Sequence, residues 1–170
     1  MKLTKLPLVA ALSLLVLSSN AWAQSTKRLI DEVNPFIGTS NFGTTNPGAV
    51  VPNGLMSITP FNVSGSPELN KFDKDKRWWS TPYTADNKFF SGFSHVNLSG
   101  VGCPELGSII VSASAGDLDV DYTHYGSAMS QEKAHPGYYS VQLDKHKIKA
   151  EVTATQRTAV SAFTFERGGK

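Results

Sequence analysis

Tyr138–Leu143 (YYSVQL), Ile148–Thr155 (IKAEVTAT) and Thr158–Phe165 (TAVSAFTF) are three β-rich runs separated only by Asp144–Lys147 and Gln156–Arg157. The first two alternate apolar and polar residues, a period of two that sends one set of side chains to a buried face and the other to water. Connections this short join antiparallel neighbours, because a parallel pair needs a crossover of about a dozen residues or more. The three runs therefore read as an antiparallel meander.

Upstream, Leu55–Pro60 (LMSITP) and Ser108–Ala113 (SIIVSA) are short apolar runs bounded by Gly and Pro, which suits half-buried strands. No stretch combines sustained helical periodicity with caps at both ends, and neither an internal repeat nor a low-complexity linker is present. The expected fold class is all-β: an antiparallel β-sandwich of five or six strands, since a lone sheet would leave one face of Val, Ile and Phe in water. A closed barrel is the alternative. The polar stretch from Asn62 to Lys88 shows no period and contains Pro67 and Pro82, so it reads as a long loop carrying Trp78, Trp79 and Tyr83.

The first residues set the compartment. Met1–Lys5 carry two lysines, Leu6–Leu17 form a twelve-residue apolar run, and Ala21-Trp22-Ala23 offers small residues at both recognition positions of a cleavage site. Residues 1–23 read as a secretory signal peptide and residues 24–170 as one domain. A membrane anchor would need about 20 apolar residues, and Ser18, Ser19 and Asn20 interrupt too early. No cysteine follows the cleavage site to carry a lipid. The expectation is an exported protein, periplasmic or extracellular, with no membrane attachment after cleavage.

Without Lys2 and Lys5 the chain holds 14 basic and 14 acidic residues. Net charge near zero argues against nucleic acid as a partner. One cysteine excludes an intrachain disulfide, so a domain of this length must rest on its hydrophobic core.

The densest chemistry lies in Gly92–Pro104 (GFSHVNLSGVGCP), which reads as a site loop and not a core strand. Gly92, Gly100 and Gly102 permit positive φ and close backbone approach, while Ser94, His95, Asn97 and Ser99 supply donors and acceptors. An ordered Gly-rich connection with internally satisfied side chains is the bland alternative. Cys103, with His95 eight residues away, has the makings of a nucleophile–base pair, yet a thiol beside glycines and Pro104 is more often a small packing residue. Asp117-Leu-Asp-Val-Asp121 resembles alternate positions of a calcium loop but lacks the Gly and the distal Glu of an EF-hand. It reads equally as the outward face of an edge strand. His124, His135 and His146 are isolated and lack metal-ligand spacing, and the sequons at Asn62 and Asn97 matter only in a glycosylating host.

Asp31–Gly54 (DEVNPFIGTSNFGTTNPGAVVPNG), Ser91–Gly107 (SGFSHVNLSGVGCPELG) and His135–Leu143 (HPGYYSVQL), in that order and spacing, resemble the amino-terminal domain of glycoside hydrolase family 92. The resemblance implies a galactose-mutarotase-like supersandwich at the front of an exported, exo-acting, inverting, calcium-dependent α-mannosidase acting on mannose-containing glycans. It implies that the general acid, general base and calcium ligands come chiefly from a C-terminal α-helical toroid of the same polypeptide, beyond this chain. The sandwich would then be incomplete at its C-terminus, with no catalytic residue of its own and no activity alone. Inversion needs two carboxyl groups roughly 6.5–9.5 Å apart, and calcium needs about six to eight oxygens. Asp73, Asp75, Asp117, Asp119 and Asp121 read instead as solvated loop charges.

On this reading the Gly92 loop lines the shared sugar pocket, with His95, Asn97, Cys103 and Glu105 nearest the interface and Trp79 offering an indole face to a pyranose. Many relatives carry His where this chain has Asn97, and Asn cannot titrate near neutral pH. A stand-alone carbohydrate-binding module that recognises mannose without hydrolysis is the alternative function, and an inactive remnant is a third.

Overall fold

The structure, a computed structural model, describes residues 28–41, 43–62, 81–98, 107, 109–119 and 124–166. The chain divides into a unit ending at Asp31 and a second unit, Glu32–Lys170, that contains all the strands given below. In the first, the Arg28 guanidinium donates to the Asp31 carboxylate at 2.9 Å. The leader reading of residues 1–23 lies outside the described residues.

Nine strands are present among the described residues: β1 (Ala49–Val50), β2 (Ser57–Phe61), β3 (Phe89–Phe90), β4 (Gly92–His95), β5 (Ile110–Val111), β6 (Ser127–His135), β7 (Tyr138–Leu143), β8 (Ile148–Ala154) and β9 (Ala159–Phe165). They form a four-stranded sheet in the order β1-β2-β4-β5 and a five-stranded sheet in the order β3-β6-β7-β8-β9. Every pairing is antiparallel. The meander expected at the C-terminal end is β7-β8-β9, and the fold is the antiparallel sandwich that the alternation implied.

The core lies between the sheets. Along β8, Ile148, Ala150, Val152 and Ala154 point inward while Lys149, Glu151 and Thr153 point outward, and β7 presents Tyr139, Val141 and Leu143 to the same side. Ala49, Ile58 and Phe93 face them from the four-stranded sheet. Their burial is the main force holding the sheets together, at about 25 cal/mol per Å² of apolar surface removed from water.

Gly92 needs a different account from the one its composition suggested. It is not in a loop but opens β4, which is paired on both sides and buries Phe93 completely. Phe89–Phe90 belong to one sheet and Gly92–His95 to the other, so the chain changes sheets across Ser91 alone. A corner this tight forces φ to +153° at Gly92, and a Cβ there would lie 2.3 Å from Ile110 Cγ2. Glycine is therefore dictated by the sheet switch and by the close approach of β5.

The expected loop from Asn62 to Lys88 is also partly structured. Residues 81–84 are buried and Tyr83 is inaccessible to solvent. Asn62 fastens this segment: its backbone N–H donates to Pro82 O, its Nδ2 donates to Thr84 O at 2.8 Å and Asn87 O at 2.5 Å, and its Oδ1 accepts from Thr84 N at 2.7 Å. Asn62 thus ties the end of β2 to residues 82–87. Asn62 is fully buried, so its sequon is closed to modification in the folded chain.

Candidate functional site

Five of the eight residues singled out for the pocket, Trp79, Gly100, Gly102, Cys103 and Glu105, lie outside the described residues. Gly92, His95 and Asn97 are described, and all three belong to β4 or to the turn that ends it.

His95 is the last residue of β4 and pairs with Ile58 in the register, so it shares the core face with Ile58 and Phe93 at the rim of the sandwich. Its Nδ1 lies 2.9 Å from the carbonyl oxygen of Ile109. A carbonyl only accepts, so in the neutral ring Nδ1 carries the proton and Nε2 keeps its lone pair as an acceptor. The ring is half-buried, which leaves Nε2 able to receive a hydroxyl proton from a ligand.

Asn97 faces other partners. Its Oδ1 accepts from Ser94 Oγ at 2.9 Å, its Nδ2 donates to Ser94 O at 3.0 Å, and its backbone N–H donates to Ser57 Oγ at 2.7 Å. Ser94 sits opposite Thr59, on the reverse side of β4 from His95. The structure therefore does not bring His95 and Asn97 together on one surface. It uses the Asn97 amide to close the turn after β4, while a Cβ on Gly107 would come within 2.7 Å of Asn97 Oδ1.

Between them lies a strained residue. Val96 has φ +57°, a conformation that a β-branched side chain rarely adopts and that costs about 1–3 kcal/mol. Its backbone is held there from both sides: Val96 N donates to Ser57 O at 3.0 Å, and Gly107 N donates to Val96 O at 3.2 Å. The strain is what turns His95 and Asn97 to opposite sides. Val96→Gly is expected to raise stability by about 1 kcal/mol net of the extra freedom glycine gives the unfolded chain. Denaturant titration checks this, and a lower midpoint in the variant would mean that Val96 packing outweighs its backbone strain.

The polar underside of the four-stranded sheet continues into the NPG segment. Asn46 Oδ1 accepts from Thr59 Oγ1 at 3.0 Å and from Gly48 N at 3.2 Å, and a Cβ on Gly48 would fall 2.1 Å from Thr59 Oγ1. Ser57, Thr59 and Ser94 are all buried on that face.

Sequence reasoning missed one buried charged group. Glu132, whose side chain is only 8% exposed, accepts from Tyr83 Oη at 2.7 Å, from Tyr139 Oη at 2.9 Å and from Lys88 Nζ at 2.5 Å. Burial, then the neighbouring carboxylate, pushes the pKa of both tyrosines above the ordinary value. A register shift between Ser130 and Lys133, with Gln131 at φ +52°, turns Glu132 inward from an otherwise exposed stretch of β6. The only sequence signal was a polar interruption in a weak alternation.

Elsewhere, Asp117 and Asp119 are exposed, and Asp119 pairs with His124 at 3.3 Å. His146 lies against Tyr125 O at 3.0 Å. Among the described residues no three His, Cys, Asp or Glu side chains gather where they could hold a metal ion. No helix among them is long and apolar enough to cross a membrane.

Two antiparallel sheets joined by a one-residue switch, with a strained polar turn at the rim, define an all-antiparallel β-sandwich. The profile described as the Glycosyl hydrolase family 92 N-terminal domain matches residues 32–170, and the chain belongs to that family. A protein of Arthroderma benhamiae described as an uncharacterized secreted glycosidase is 29% identical over 163 residues, which is 91% of this chain and 20% of that one. A solved family GH92 α-mannosidase from Bacteroides thetaiotaomicron superimposes with TM-score 0.69 at 30% identity, covering 82% of this chain and 19% of its own. A GH92 inverting mannosidase from the same organism gives TM-score 0.55 at 25% identity, covering 85% and 19%. The chain thus spans about one-fifth of the length of these relatives.

Proposed function

We propose that this chain is the amino-terminal, sugar-contacting part of an exported α-mannosidase, and that it lines the pocket in which a further catalytic part of the same polypeptide cleaves terminal mannose from glycans. The observation that carries this reading is the rim of β4, where His95 keeps Nε2 as an acceptor beside the strained Val96. Strain of this kind concentrates at ligand-binding sites. His95 then takes a hydrogen bond from a mannose hydroxyl, and this reading gives Trp79, Cys103 and Glu105 a part in the same pocket. Asn97 contributes by fixing the turn.

On this reading calcium and its ligands belong to the remainder of the polypeptide. The two carboxyl groups of an inverting mechanism are assigned there too.

The test is His95→Ala in the full-length enzyme. A lost hydrogen bond to substrate predicts a fall in kcat/KM of roughly 10- to 100-fold on an α-mannoside, with the melting temperature unchanged. Unchanged kcat/KM would remove His95 from the pocket. Binding of mannose by a polypeptide that nowhere hydrolyses it would replace the enzyme reading with a binding module.

A further inference from the structure

Each sheet has two edges, and among the described residues three of the four belong to strands of two residues: β1 and β5 in the four-stranded sheet, β3 in the five-stranded one. The fourth edge is β9, which is seven residues long and pairs with β8 over its whole length without a bulge. Proteins guard a long open edge with lysine, proline, a bulge or a cover, because a row of unpaired N–H and C=O groups recruits another strand. The sequence of β9, AVSAFTF, carries no charge and no proline, and residues 160–162, 164 and 165 are exposed.

Two hydrogen bonds fix which backbone groups lie on that edge. Thr158 O accepts from Thr155 N at 2.8 Å and Glu166 N donates to Lys147 O at 3.1 Å, so the even-numbered residues of β9 direct their backbone groups toward β8. Ala159, Ser161, Phe163 and Phe165 turn theirs the other way, to the open side. The side chains of these four lie on the core face, opposite Ala154, Val152, Ala150 and Ile148. The four-stranded sheet covers them incompletely: Ser161 is exposed, Phe165 is 40% exposed and Phe163 is half-buried. β9 is therefore open along its edge and along part of its apolar face.

We propose that β9 is a homodimer interface, taking β9 of a second copy antiparallel about a two-fold axis at Ala162 and joining the two five-stranded sheets into one of ten strands. The strand is complementary to its own reverse. With Ala162 opposite Ala162, each Phe163 meets Ser161 of the second copy and each Phe165 meets Ala159, large against small on the core side. On the outer side Val160 meets Thr164, a β-branched pair. This register also bonds the groups that are open, since it sets 159 against 165 and 161 against 163, the residues whose N–H and C=O point outward. From Gln24 onward the chain holds 14 basic and 14 acidic residues, so no long-range repulsion keeps two copies apart. Pairing consumes the one long edge among the described residues and leaves two-residue edges, so assembly closes at two copies. The contact does not involve His95 and stands apart from the sugar reading.

Sedimentation velocity on residues 24–170, the chain without its leader, tests the proposal. The expected result is a monomer–dimer equilibrium with Kd in roughly the micromolar range, as suits one strand pair per interface. Ala162→Lys should weaken it by roughly tenfold or more, because it sets two ammonium groups opposite each other at the axis. The monomer should tolerate that change, since Ala162 is exposed and lies opposite Glu151 of β8. Ile110→Lys, on the edge of the other sheet, should leave the dimer intact. The register has its own readout in a Cys103→Ala background. Oxidation should cross-link Ala162→Cys between copies, since directly opposite non-hydrogen-bonded residues stand about 4.5 Å apart at Cα, and should not cross-link Thr164→Cys, which faces Val160. A monomer at every concentration, open-ended oligomers, a dimer unmoved by Ala162→Lys or dissociated by Ile110→Lys, or cross-linking at 164 in place of 162 overturns the proposal. Should Ala162→Lys not fold by circular dichroism, Ser161→Pro removes one outward N–H and leaves the bonds to β8 in place, and an unweakened dimer in that variant is equally fatal.

Discussion

Replacing Glu132 with leucine is expected to lower the unfolding free energy by about 3–5 kcal/mol. The substitution roughly preserves volume, so little of this loss comes from packing. It comes from the partners. Tyr83 is fully inaccessible, as is Tyr139, and both hydroxyls end on the same carboxylate oxygen, Oε2, while Lys88 reaches Oε1. Removing the acceptor strands two buried donors at about 1–3 kcal/mol each. Tyr83→Phe and Tyr139→Phe each delete one donor with its bond and leave the carboxylate paired, so each should cost only about 1 kcal/mol. Urea midpoints of the three variants decide the matter, and a loss below about 1 kcal/mol in Glu132→Leu would show that the network does not hold the 81–88 segment to β6 and β7.

The same network makes the fold sensitive to alkali. Both tyrosines hold their protons above the ordinary value of 10, because burial and then Glu132 disfavour the phenolate. Above pH 10 the unfolded chain releases these two protons while the folded chain keeps them, so the unfolded state binds fewer protons and stability falls as pH rises. The contribution is complete below pH 10 and is lost progressively above it, at about 1.4 kcal/mol per pH unit for each tyrosine. Stability measured between pH 9 and 12 should show that slope, and Tyr139→Phe should halve it.

How much of this was legible beforehand depended on whether a strand has one wet face. β7 and β8 do, so YYSVQL and IKAEVTA could be read directly, and the antiparallel register followed from the connecting lengths. β2 and β4 do not. Thr59 and Ser94 are as buried as Ile58 and Phe93, because the NPG segment and the turn at Asn97 cover the reverse of that sheet with hydrogen bonds. A strand whose polar side is also buried shows no apolar-polar contrast against solvent, and GFSH therefore reads as a loop. β6 failed for another reason: its bulge inserts a residue at Gln131, which breaks the period of two midway. At the candidate site the residue types were legible and their directions were not. His95 and Asn97 are two apart in sequence, which on a regular strand would place them on one face, but φ +57° at Val96 separates them.

Phe93→Ala is expected to cost about 3–5 kcal/mol, in the range for a fully buried aromatic truncated to a methyl. Phe93 is the point at which the sheets meet. Its ring stands edge-on to Phe90 at 4.9 Å and to Tyr139 at 6.2 Å, and tilts over Phe163 at 6.4 Å, so it touches β3, β7 and β9 of the opposite sheet from β4. No flexible neighbour is placed to refill the space, because Phe90 is fixed by the one-residue switch and Tyr139 by Glu132. Phe163 is only half-buried on the outermost strand of its sheet, so Phe163→Ala should cost distinctly less. His95 stands two residues from Phe93 on the same face, and a cavity at Phe93 removes the floor beneath it. On the proposed role of His95, the full-length protein carrying this variant should therefore lose kcat/KM on an α-mannoside even at temperatures where it remains folded. Full activity in a folded Phe93→Ala protein would separate the sandwich core from the proposed sugar pocket and leave the Ile109 carbonyl as what orients His95.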